Sequence, residues 1–421
     1  MTFHVTEAFR SVTLGMRSFE AARDKALRLV GPVDRGETVP LGSALGRVLA
    51  ETVVAPRDLP AFDQAAMDGY AVRLADVAAA PLRIDGVTRA GDAPARLAPN
   101  CAHRIMTGGS LPAGADAVIP YEQATIVGEG LAIADTPRSG GNVRRAGEDI
   151  ARGQTVLPKG RVLAWPDIAA LAALGIGAVR VVAPVRIAVL TTGAELRDAG
   201  ETLPMAAIYD SNGPMLAALL TGRSVEVTKA TVGDDYGALV ERLAAAGSHC
   251  DLVITSAGMS SGDRDLVRGA LAAAGGAITV SAVSMKPGKP LALGTIGKAA
   301  FVGLPGNPQA AGFSALAFIR PMIAALSGRP PSAPIMARYM FADGRRTEKT
   351  ELIPVRLEAD SGQLVARRVG RPGSHRLMPL LAANAVAIVP AADTPLEDGD
   401  RLEVLPFHDP EFQGAPPCPA R

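Results

Sequence analysis

The sequence predicts a multidomain protein in which a central α/β domain is combined with separate β domains. The chain has 421 residues, whereas one hydrophobic core rarely grows beyond roughly 250–300 residues. Strand-like and helix-like segments alternate between residues 184 and 328, which is typical of a mostly parallel sheet covered by helices on both faces. Short β-like segments separated by turns dominate residues 57–145 and the stretch after residue 329, and they indicate β domains.

These changes of pattern predict four domains. Residues 1–56 and 146–183 are interpreted as one linker domain, because the β-rich residues 57–145 interrupt it as an insertion. Residues 184–328 form the predicted three-layer α/β domain, and residues 329–421 a C-terminal β-barrel.

Helical spacing of apolar residues marks the helices of the linker domain. It predicts helices at residues 18–30 and 165–175, and a third that begins near residue 43 and continues into a strand ending at Pro56.

The α/β domain follows a regular order in the sequence. Strands are expected at VRIAVLTTG, SVEVTKATV, DLVITSAG, ITVSAVSM and KAAFVGLPG, with helices between them and after the last one. Sheets of this class bind ligands beyond the carboxyl ends of their strands. The loops that follow these strands are therefore the first place to look for function.

Composition excludes several classes of partner. The net charge of +1 gives no electrostatic reason to expect nucleic acid or an anionic membrane surface. Cys101, Cys250 and Cys418 lie far apart and fit neither a metal site nor a disulfide framework, so a cytoplasmic location is predicted. The N-terminus lacks the apolar stretch of a signal peptide, and the apolar residues 313–326 are interpreted as too short to span a bilayer.

The first of four unusual strand-end loops runs from Thr191 to Glu195. Thr192 and Gly193 offer a hydroxyl and free backbone N–H groups, which suit a phosphate-like oxyanion, with Glu195 at the crevice. A simple turn with a solvated glutamate is an equally good interpretation.

The second loop, residues 256–265, is rich in small residues. Ser256, Gly258 and Ser260 allow backbone to approach a ligand closely. Asp263 and Asp265 precede the next helix, where carboxylates serve as caps. Two nearby carboxylates would also suit Mg²⁺, which prefers oxygen ligands and keeps several waters.

The third loop displays two lysines. Lys286 and Lys289 alternate with prolines on either side of Gly288, so the ammonium groups lose little conformational entropy on binding. Lysine binds oxyanions as a point charge, so an anion clamp is predicted. A solvated loop is the alternative.

The fourth loop contains Pro305 and Asn307 and leads into a helix. Asn307 fits the cap position and Pro308 the first helical position, so the spacing alone favours an ordinary helix start. The backbone N–H groups exposed there would also donate hydrogen bonds to a phosphate. Asp234 and Asp235 likewise precede a helix, and capping explains both.

Three further positions look structural from spacing alone. Asp68 belongs to an Asp-Gly turn, Thr107 to a glycine-rich turn and Arg144 to a charged surface turn. The sequence contains no nucleophile elbow, P-loop or zinc-binding H-E-x-x-H motif. Positioning and electrostatics therefore remain as the source of any chemistry.

Taken together, the motifs resemble one family, the molybdopterin molybdenumtransferases of the MoeA and gephyrin E-domain type. The matching strings run in family order over nearly the whole chain. They are FDQAAMDGYAVR, RIMTGGSLPAGADAVIP, GNVRRAGEDI, LAALGI, LTTGAEL, IYDSN, VGDD, SAGMSSGDRD, MKPGKP, GLPGNP and GSHRL.

The resemblance implies a four-domain homodimer that dimerises through the linker domain. It implies that molybdate enters the dithiolene of adenylylated molybdopterin in a Mg²⁺-dependent step that releases AMP. The family's cleft lies between the α/β domain of one subunit and the inserted β domain of the other. The molybdopterin adenylyltransferase and apo-molybdoenzymes become candidate partners.

Site roles are carried over by matching motifs. The resemblance implies catalytic roles for Asp68, Glu195, Lys286 and Lys289, and metal binding by Asp234 and Asp265. Substrate binding is expected of Thr107, Arg144, Thr192, Gly193, Ser256, Gly258, Ser260, Pro305 and Asn307. We interpret the two lysines as holding oxyanion, with Asp68 and Glu195 orienting water or molybdate.

The sequence also departs from the family pattern. The loop that usually reads Ser-Gly-Gly-Val-Ser has Ala257 and Met259 here, and Leu266 replaces a common tyrosine. An added Cβ at Ala257 obstructs close approach of a ligand, which favours changed activity.

Two other functions are weighed against insertion. One is the preceding adenylylation step, which ATP turnover would reveal. The other is a non-enzymatic scaffold, which partner capture without cofactor synthesis would reveal.

Overall fold

The computed structural model describes residues 16–257, 266–340, 348–370, 373–393 and 395–408. The chain divides into two compact units. The first comprises Met1–Glu37, Gly46–Val48 and Val181–Arg421, and the second comprises Thr38–Leu45 and Leu49–Arg180. The α/β domain and the C-terminal β domain both belong to the first unit; the finer division into four domains stays a prediction.

The first helix of the described residues is the predicted helix α1 (Phe19–Arg28). The hydroxyl of Ser18 accepts a hydrogen bond from the N–H of Ala21 at 3.2 Å, which caps the helix, and one face of the helix buries Phe19, Ala22 and Ala26. Strand β1 (Gly36–Pro40) follows and crosses the boundary between the units.

The helix predicted from residue 43 is wrong. The chain forms only one 3₁₀ turn there, Leu41–Ser43, and then becomes extended. Gly46 has φ of +77°, which ends helical geometry. The N–H of Leu49 bonds the carbonyl of Arg161 and that of Ala50 the carbonyl of Arg180, so tertiary pairing overrides the helical pattern.

The second unit is built mainly from short strands, as predicted for its β-rich segment. A mixed six-stranded sheet has the order β7-β4-β6-β5-β9-β8, and the pairs β3–β10 and β2–β11 lie outside it. One face of the sheet buries Val72, Leu82 and Leu131, and the other buries Ala71 and Ile105. Its elements are β2 (Val53–Val54), β3 (Gln64–Ala65), β4 (Gly69–Val72), β5 (Leu82–Thr88), β6 (Cys101–Ile105), β7 (Ala117–Pro120), β8 (Ala124–Val127), β9 (Gly130–Ile133), β10 (Val143–Arg144), β11 (Thr155–Leu157), α2 (Trp165–Ala173) and β12 (Ala178–Val182), which crosses the unit boundary.

The predicted α/β sheet is confirmed as six strands in the order β16-β13-β17-β21-β20-β18. Strands β16, β13, β17 and β21 are parallel, whereas β20 is antiparallel to both of its neighbours. The elements in chain order are β13 (Val185–Thr192), β14 (Leu196–Arg197), β15 (Ile208–Tyr209), α3 (Asn212–Leu220), β16 (Val225–Val232), α4 (Tyr236–His249), β17 (Leu252–Ser256), α5 (Leu266–Ala273), β18 (Ala277–Val280), β19 (Met285–Lys286), β20 (Ala292–Ile296), β21 (Ala299–Leu304), α6 (Pro308–Ser314) and α7 (Arg320–Leu326).

Helices cover both faces of this sheet, because successive residues of a strand point to opposite sides. Ile187 and Val189 of β13 pack in one hydrophobic cluster with α3, α6 and α7. Ala188 and Leu190 pack in another with α4 and α5. The three-layer architecture is thus present.

The apolar segment near residue 313 belongs to a longer helix than the sequence suggested. Residues Pro308–Leu326 form one 19-residue helical stretch, with a π-helical turn at Ala315–Ile319 between α6 and α7. Its length and hydropathy would suffice to cross a membrane, so the prediction that it is too short is wrong. However, 78% of that stretch is buried inside the protein, as in the core helix of a globular domain.

The C-terminal β domain is a closed five-stranded barrel. The ring runs β23-β24-β22-β26-β25 and closes through β23–β25, while β19 adds to the edge of β23. Closure removes the exposed strand edges. The elements are β22 (Ile335–Tyr339), β23 (Thr350–Asp360), β24 (Gln363–Arg368), α8 (Met378–Ala382), β25 (Ala385–Val389) and β26 (Arg401–Pro406).

Candidate functional site

The strand register brings the ends of the parallel strands to one level. Thr191 of β13 is opposite Thr231 of β16 and Ser256 of β17, and Ser256 is opposite Leu304 of β21. The loops that leave these strands therefore meet at one edge of the sheet, where open α/β sheets bind ligands.

The hydroxyls at the end of β13 have different environments. The Thr191 Oγ1 lies 2.9 Å from Oδ2 of Asp210 and 3.2 Å from Oγ1 of Thr231. Asp210 is only 4% exposed and also accepts a hydrogen bond from the N–H of Gly213 at 2.9 Å. Thr191 therefore positions Asp210, which in turn holds the start of α3. Of the two threonines, Thr192 is the one predicted to bind substrate.

Gly193, Glu195 and Asp234 come together in the loops after β13 and β16. Oδ1 of Asp234 accepts a hydrogen bond from the N–H of Ala194 at 3.1 Å. Gly193 has φ of +149°, which favours glycine, and the carboxylate of Glu195 lies 2.7 Å from the position that a Cβ would occupy there. Asp235, in contrast, caps α4 by accepting a hydrogen bond from the N–H of Ala238 at 3.0 Å. Capping thus explains Asp235, whereas the exposed Asp234 joins two loops.

Ser256 is tied to the loop after β21 through Asn212. The side-chain amide of Asn212 donates to Oγ of Ser256 at 2.9 Å and to the carbonyl oxygen of Gly306 at 2.7 Å. Asn212 is only 8% exposed. It fixes the distance between two loops, a role that its position at the start of α3 did not reveal.

Ala257 has φ of +75°, the left-handed region that favours glycine. Alanine thus replaces the family's usual glycine at a position whose backbone conformation favours glycine. Gly258, Ser260 and Asp265 lie outside the described residues, so their predicted roles stay predictions.

The two lysines of the third loop line a cavity of about 600 Å³. Pro305 and Asn307 line the same cavity, so the third and fourth loops face one space. The opposite wall comes from the barrel domain and contains Lys349, Glu351, Arg368, Ser374 and His375. These barrel residues had no predicted role, although Ser374 and His375 belong to the GSHRL string.

Positive charge dominates this cavity. The lining residues include four cationic side chains, those of Lys286, Lys289, Lys349 and Arg368. Glu351 supplies the one carboxylate among the lining residues. Nζ of Lys286 lies 3.8 Å from Oε1 of Glu351, yet the lysine side chain is 67% exposed. A contact at this distance with an exposed lysine is weak, so the ammonium group is available to an anion.

Asn307 organises the cavity wall. It occupies the cap position of α6, as predicted, but its side chain makes no capping bond. Instead its amide donates to Oγ of Ser374 at 2.9 Å, and the N–H of Gln309 donates to the carbonyl oxygen of Ser374 at 3.2 Å. The helix start thus holds a barrel loop in place.

In the second unit, Asp68 and Thr107 form a separate pair. The N–H and hydroxyl of Thr107 both donate to Oδ1 of Asp68, at 2.7 and 2.8 Å. These two bonds hold the pKa of the exposed carboxyl below its usual value. Arg144 lies on β10 with an exposed side chain, and the described residues show no bond between it and this pair.

Apart from Arg144, the predicted residues that the structure describes fall into three groups. Lys286, Lys289, Pro305 and Asn307 share the cavity. Thr192, Gly193, Glu195, Asp234 and Ser256 lie at neighbouring strand ends of the same sheet without lining that cavity. Asp68 and Thr107 are paired in the other unit. Among the described residues, no cluster of three His, Cys, Asp or Glu side chains forms a ready metal site.

Comparison with known proteins gives a consistent result over the chain. Residues 17–175 match the MoeA N-terminal region (domain I and II), residues 188–325 a probable molybdopterin binding domain, and residues 335–407 the MoeA C-terminal region (domain IV). A Mycobacterium tuberculosis protein called molybdopterin molybdenumtransferase 2 is 37% identical over 390 residues, which cover 87% of this chain and 94% of that relative. The Haemophilus influenzae molybdopterin molybdenumtransferase is 34% identical over 404 residues, covering 93% of this chain and 99% of the relative.

A solved structure agrees with these relatives. The molybdopterin biosynthesis MoeA protein of Pyrococcus horikoshii superposes with a TM-score of 0.80 at 29% identity, covering 94% of this chain and 100% of that one. The matched domains and these relatives place the chain among the transferases of molybdenum cofactor biosynthesis. The chain belongs to the MoeA family of molybdopterin molybdenumtransferases.

Proposed function

We propose that this transferase inserts molybdate into adenylylated molybdopterin and releases AMP, yielding the molybdenum cofactor. The observation that carries the proposal is the basic cavity. Molybdate and a pyrophosphate-linked pterin are both anions, and fixed positive groups bind anions more strongly where water is partly excluded.

The residues divide the work by their chemistry. Lys286 and Lys289 hold an oxyanion as point charges, and the rings of Pro287 and Pro290 restrict the backbone of the loop that carries them. Gly288 has φ of +115°, a backbone conformation that strains any residue with a Cβ, so glycine is favoured at this position. Thr192, Ser256 and the loop at Gly193 would bind the phosphate groups, with Ser256 held by Asn212.

Acidic groups orient the second reactant. Glu195 is exposed beside Gly193, and Asp68 presents its Oδ2 while Oδ1 is occupied by Thr107. Both would orient water or molybdate. Arg144 would add positive charge to the part of the site that contains Asp68.

The proposal includes Mg²⁺, with Asp234 as one ligand and Asp265 as a second. Asp234 is exposed and uses only one oxygen in its bond to Ala194. One or two carboxylates, together with several waters and substrate phosphate oxygens, form an ordinary magnesium environment. When bound, the ion would polarise the pyrophosphate for cleavage.

The test combines purified protein, adenylylated molybdopterin, Mg²⁺ and molybdate, and measures AMP and active cofactor. We expect molybdate-dependent AMP release that chelation of Mg²⁺ abolishes. The double substitution Lys286→Ala with Lys289→Ala should weaken substrate binding at least about tenfold, since each charge-assisted bond contributes about 1.5–3 kcal/mol. Lys298→Ala is the matched control, because Lys298 is exposed in the same unit but does not line the cavity.

Two outcomes would contradict the proposal. Unchanged binding and AMP release in the double lysine variant would remove the clamp. ATP turnover with free molybdopterin, without molybdate-dependent AMP release, would assign the chain to the adenylylation step instead.

The active form is proposed to be a cytoplasmic homodimer whose cleft is shared between subunits. Mixing inactive Asp68→Asn protein with inactive Lys286→Ala protein should restore part of the activity, because one of the two clefts in a mixed dimer receives both intact residues. Absence of any recovery from mixtures that demonstrably exchange subunits would argue for a site completed within one chain.

A further inference from the structure

Arg104 lies beside the Asp68–Thr107 pair and has no role so far. It is directly opposite Tyr70 in the antiparallel pairing of β4 with β6, so both side chains project from the same face of the sheet. Tyr121 follows β7, the other neighbour of β4, and its N–H donates to the carbonyl oxygen of Asp68 at 3.3 Å. Three polar side chains thus converge where β4 begins.

The guanidinium of Arg104 is oriented by one specific bond. Its Nε donates to the phenol oxygen of Tyr121 at 2.6 Å, and its central carbon lies 5.3 Å from the centre of that ring. The phenol oxygen in turn donates to Sδ of Met106 at 3.6 Å, and the ring of Tyr70 packs edge-on against Tyr121 at 5.3 Å between centroids. These contacts restrict the direction of an otherwise exposed side chain.

The two terminal nitrogens of Arg104 are left available. Within the described part of the chain they have no hydrogen-bond or ion-pair partner, although the side chain is exposed. Nearby, Oδ1 of Asp68 already accepts two hydrogen bonds from Thr107, which partly balance its charge. A guanidinium with both terminal nitrogens free presents a planar fork that matches two oxygens of a tetrahedral anion.

We propose that Arg104 is a binding residue for a tetrahedral oxyanion at the Asp68–Thr107 site, and that Tyr121 is its positioning residue. The anion is the phosphate of the nucleotide portion or molybdate itself, since both offer the same oxygen geometry. The proposal rests on the proposed function only for the identity of this anion.

Tyr121 contributes by pre-orientation rather than by contact with the anion. Without its phenol oxygen, the arginine samples more rotamers, and ordering them on binding weakens the affinity for the anion. The ring itself remains in Tyr121→Phe, so the packing against Tyr70 is kept. Tyr70→Phe is the matched control, because it removes a hydroxyl from the neighbouring ring and keeps the bond between Arg104 and the phenol oxygen of Tyr121.

The test measures the affinity of the full protein for AMP and for sodium molybdate by titration calorimetry at low salt. We expect Arg104→Ala to weaken one of the two anions about tenfold or more, and Tyr121→Phe to weaken the same anion about threefold. Arg104→Lys should restore little, because an ammonium group lacks the fork. Tyr70→Phe should bind like the unmodified protein, and thermal melting of all variants should remain unchanged because Arg104 is exposed.

The two arms identify the anion. A loss for AMP alone assigns Arg104 to the nucleotide phosphate, and a loss for molybdate alone assigns it to molybdate. Unchanged affinity of Arg104→Ala for both anions, or failure of the unmodified protein to bind either one, would overturn the proposal.

The failure of this proposal can be told apart from failure of the proposed function. Cofactor synthesis by Arg104→Ala with unaltered anion affinities removes Arg104 and leaves the insertion reaction standing. Arginine-dependent anion binding by a protein that makes no cofactor retains Arg104 and removes the insertion reaction.

Discussion

The charge of Asp68 is controlled by Thr107. Its pKa is lowered by the backbone N–H of Thr107 first and by the hydroxyl second. Thr107→Val keeps the N–H and removes the hydroxyl, so the pKa of Asp68 should rise toward its ordinary value. NMR titration of the carboxyl measures the shift, and Thr125→Val, an exposed change on β8, should leave it unchanged.

The direction of the pH effect follows from that lowered pKa. A carboxyl that is easier to ionise in the folded state stabilises the protein above the unfolded pKa of about 3.9. This contribution is lost as the pH falls through the folded pKa. Thr107→Val should reduce the loss of stability between the unfolded and the folded pKa of Asp68. An unaltered titration curve of Asp68 in this variant would show that the hydroxyl does not bind the carboxylate in solution.

Ala257 is the second residue whose environment yields a prediction. A non-glycine residue in the left-handed region costs about 1–2 kcal/mol, and glycine loses about 0.4–1 kcal/mol through the greater freedom of the unfolded chain. Ala257→Gly should therefore stabilise the protein by about 0.5–1 kcal/mol, measured by chemical unfolding. Ala194→Gly, at a residue without positive φ, should give no gain, and an equal effect of both changes would contradict the strain argument.

The sequence indicates which residues lie together where one loop carries them, but it does not indicate this where several loops meet. The lysines of the third loop were apparent from the sequence because they are three positions apart beside prolines. Lys349 and Arg368 reach the same cavity from distant strands of the barrel, and spacing along the chain does not report such contacts. Arg104 and Tyr121 are likewise 17 positions apart and meet only through sheet pairing.

At the scale of helices and strands, one ion pair joins the segment after α1 to the α/β sheet. The guanidinium of Arg35 bonds both oxygens of Asp251 at 2.8 and 2.7 Å, and the N–H of Arg186 donates to the same carboxylate at 2.8 Å. Burial is the largest influence on Asp251 and raises its pKa, but these donors together bring the pKa below the usual value. The carboxylate is therefore charged and paired at neutral pH.

Asp251→Asn should destabilise the first unit by about 2–4 kcal/mol, because it leaves a partly buried arginine without its partner. The substitution should also remove the part of the acid-induced loss of stability that appears as the pH falls through the folded pKa of Asp251. Glu226→Gln is the control, since its contact with Arg186 is 3.7 Å long and exposed. Similar losses of unfolding free energy in the two variants would refute the structural role of the Arg35–Asp251 pair.

Most strands of the fold were predictable, and the failures have physical causes. The strands of the α/β domain carry apolar runs long enough to be recognised, as in β13, where all but one of the eight residues are buried. Strand β20 was missed because its apolar run follows the lysine loop without a helix between, and it pairs in a hairpin with β21. The wrong helix near residue 43 had the right apolar spacing, but backbone pairing at Leu49 and Ala50 decided the structure.

At the scale of the whole molecule, one hydrophobic cluster links elements that the sequence assigns to different domains. It contains Phe19 of α1, Phe313 and Phe318 of the long helix, and Leu352 and Ile388 of the barrel. A shared core makes these elements stable only together. The α/β sheet and the barrel should therefore unfold as one cooperative body, although they were predicted as two domains.

Calorimetry of Phe318→Ala tests this cooperativity. Phe318 is 1% exposed and packs edge-on against Phe19 with ring centroids 5.4 Å apart. Its truncation should cost about 3–5 kcal/mol through lost burial and the cavity left behind. We expect two unfolding transitions in the unmodified protein, one for each compact unit, and a lower temperature for the first unit alone in the variant. Met205→Ala, at a side chain that is 99% exposed, should change neither transition. Separate transitions for the barrel and the α/β sheet would show that the common cluster does not couple them. The cavity that both domains line would then be held together by contacts weaker than this packed core.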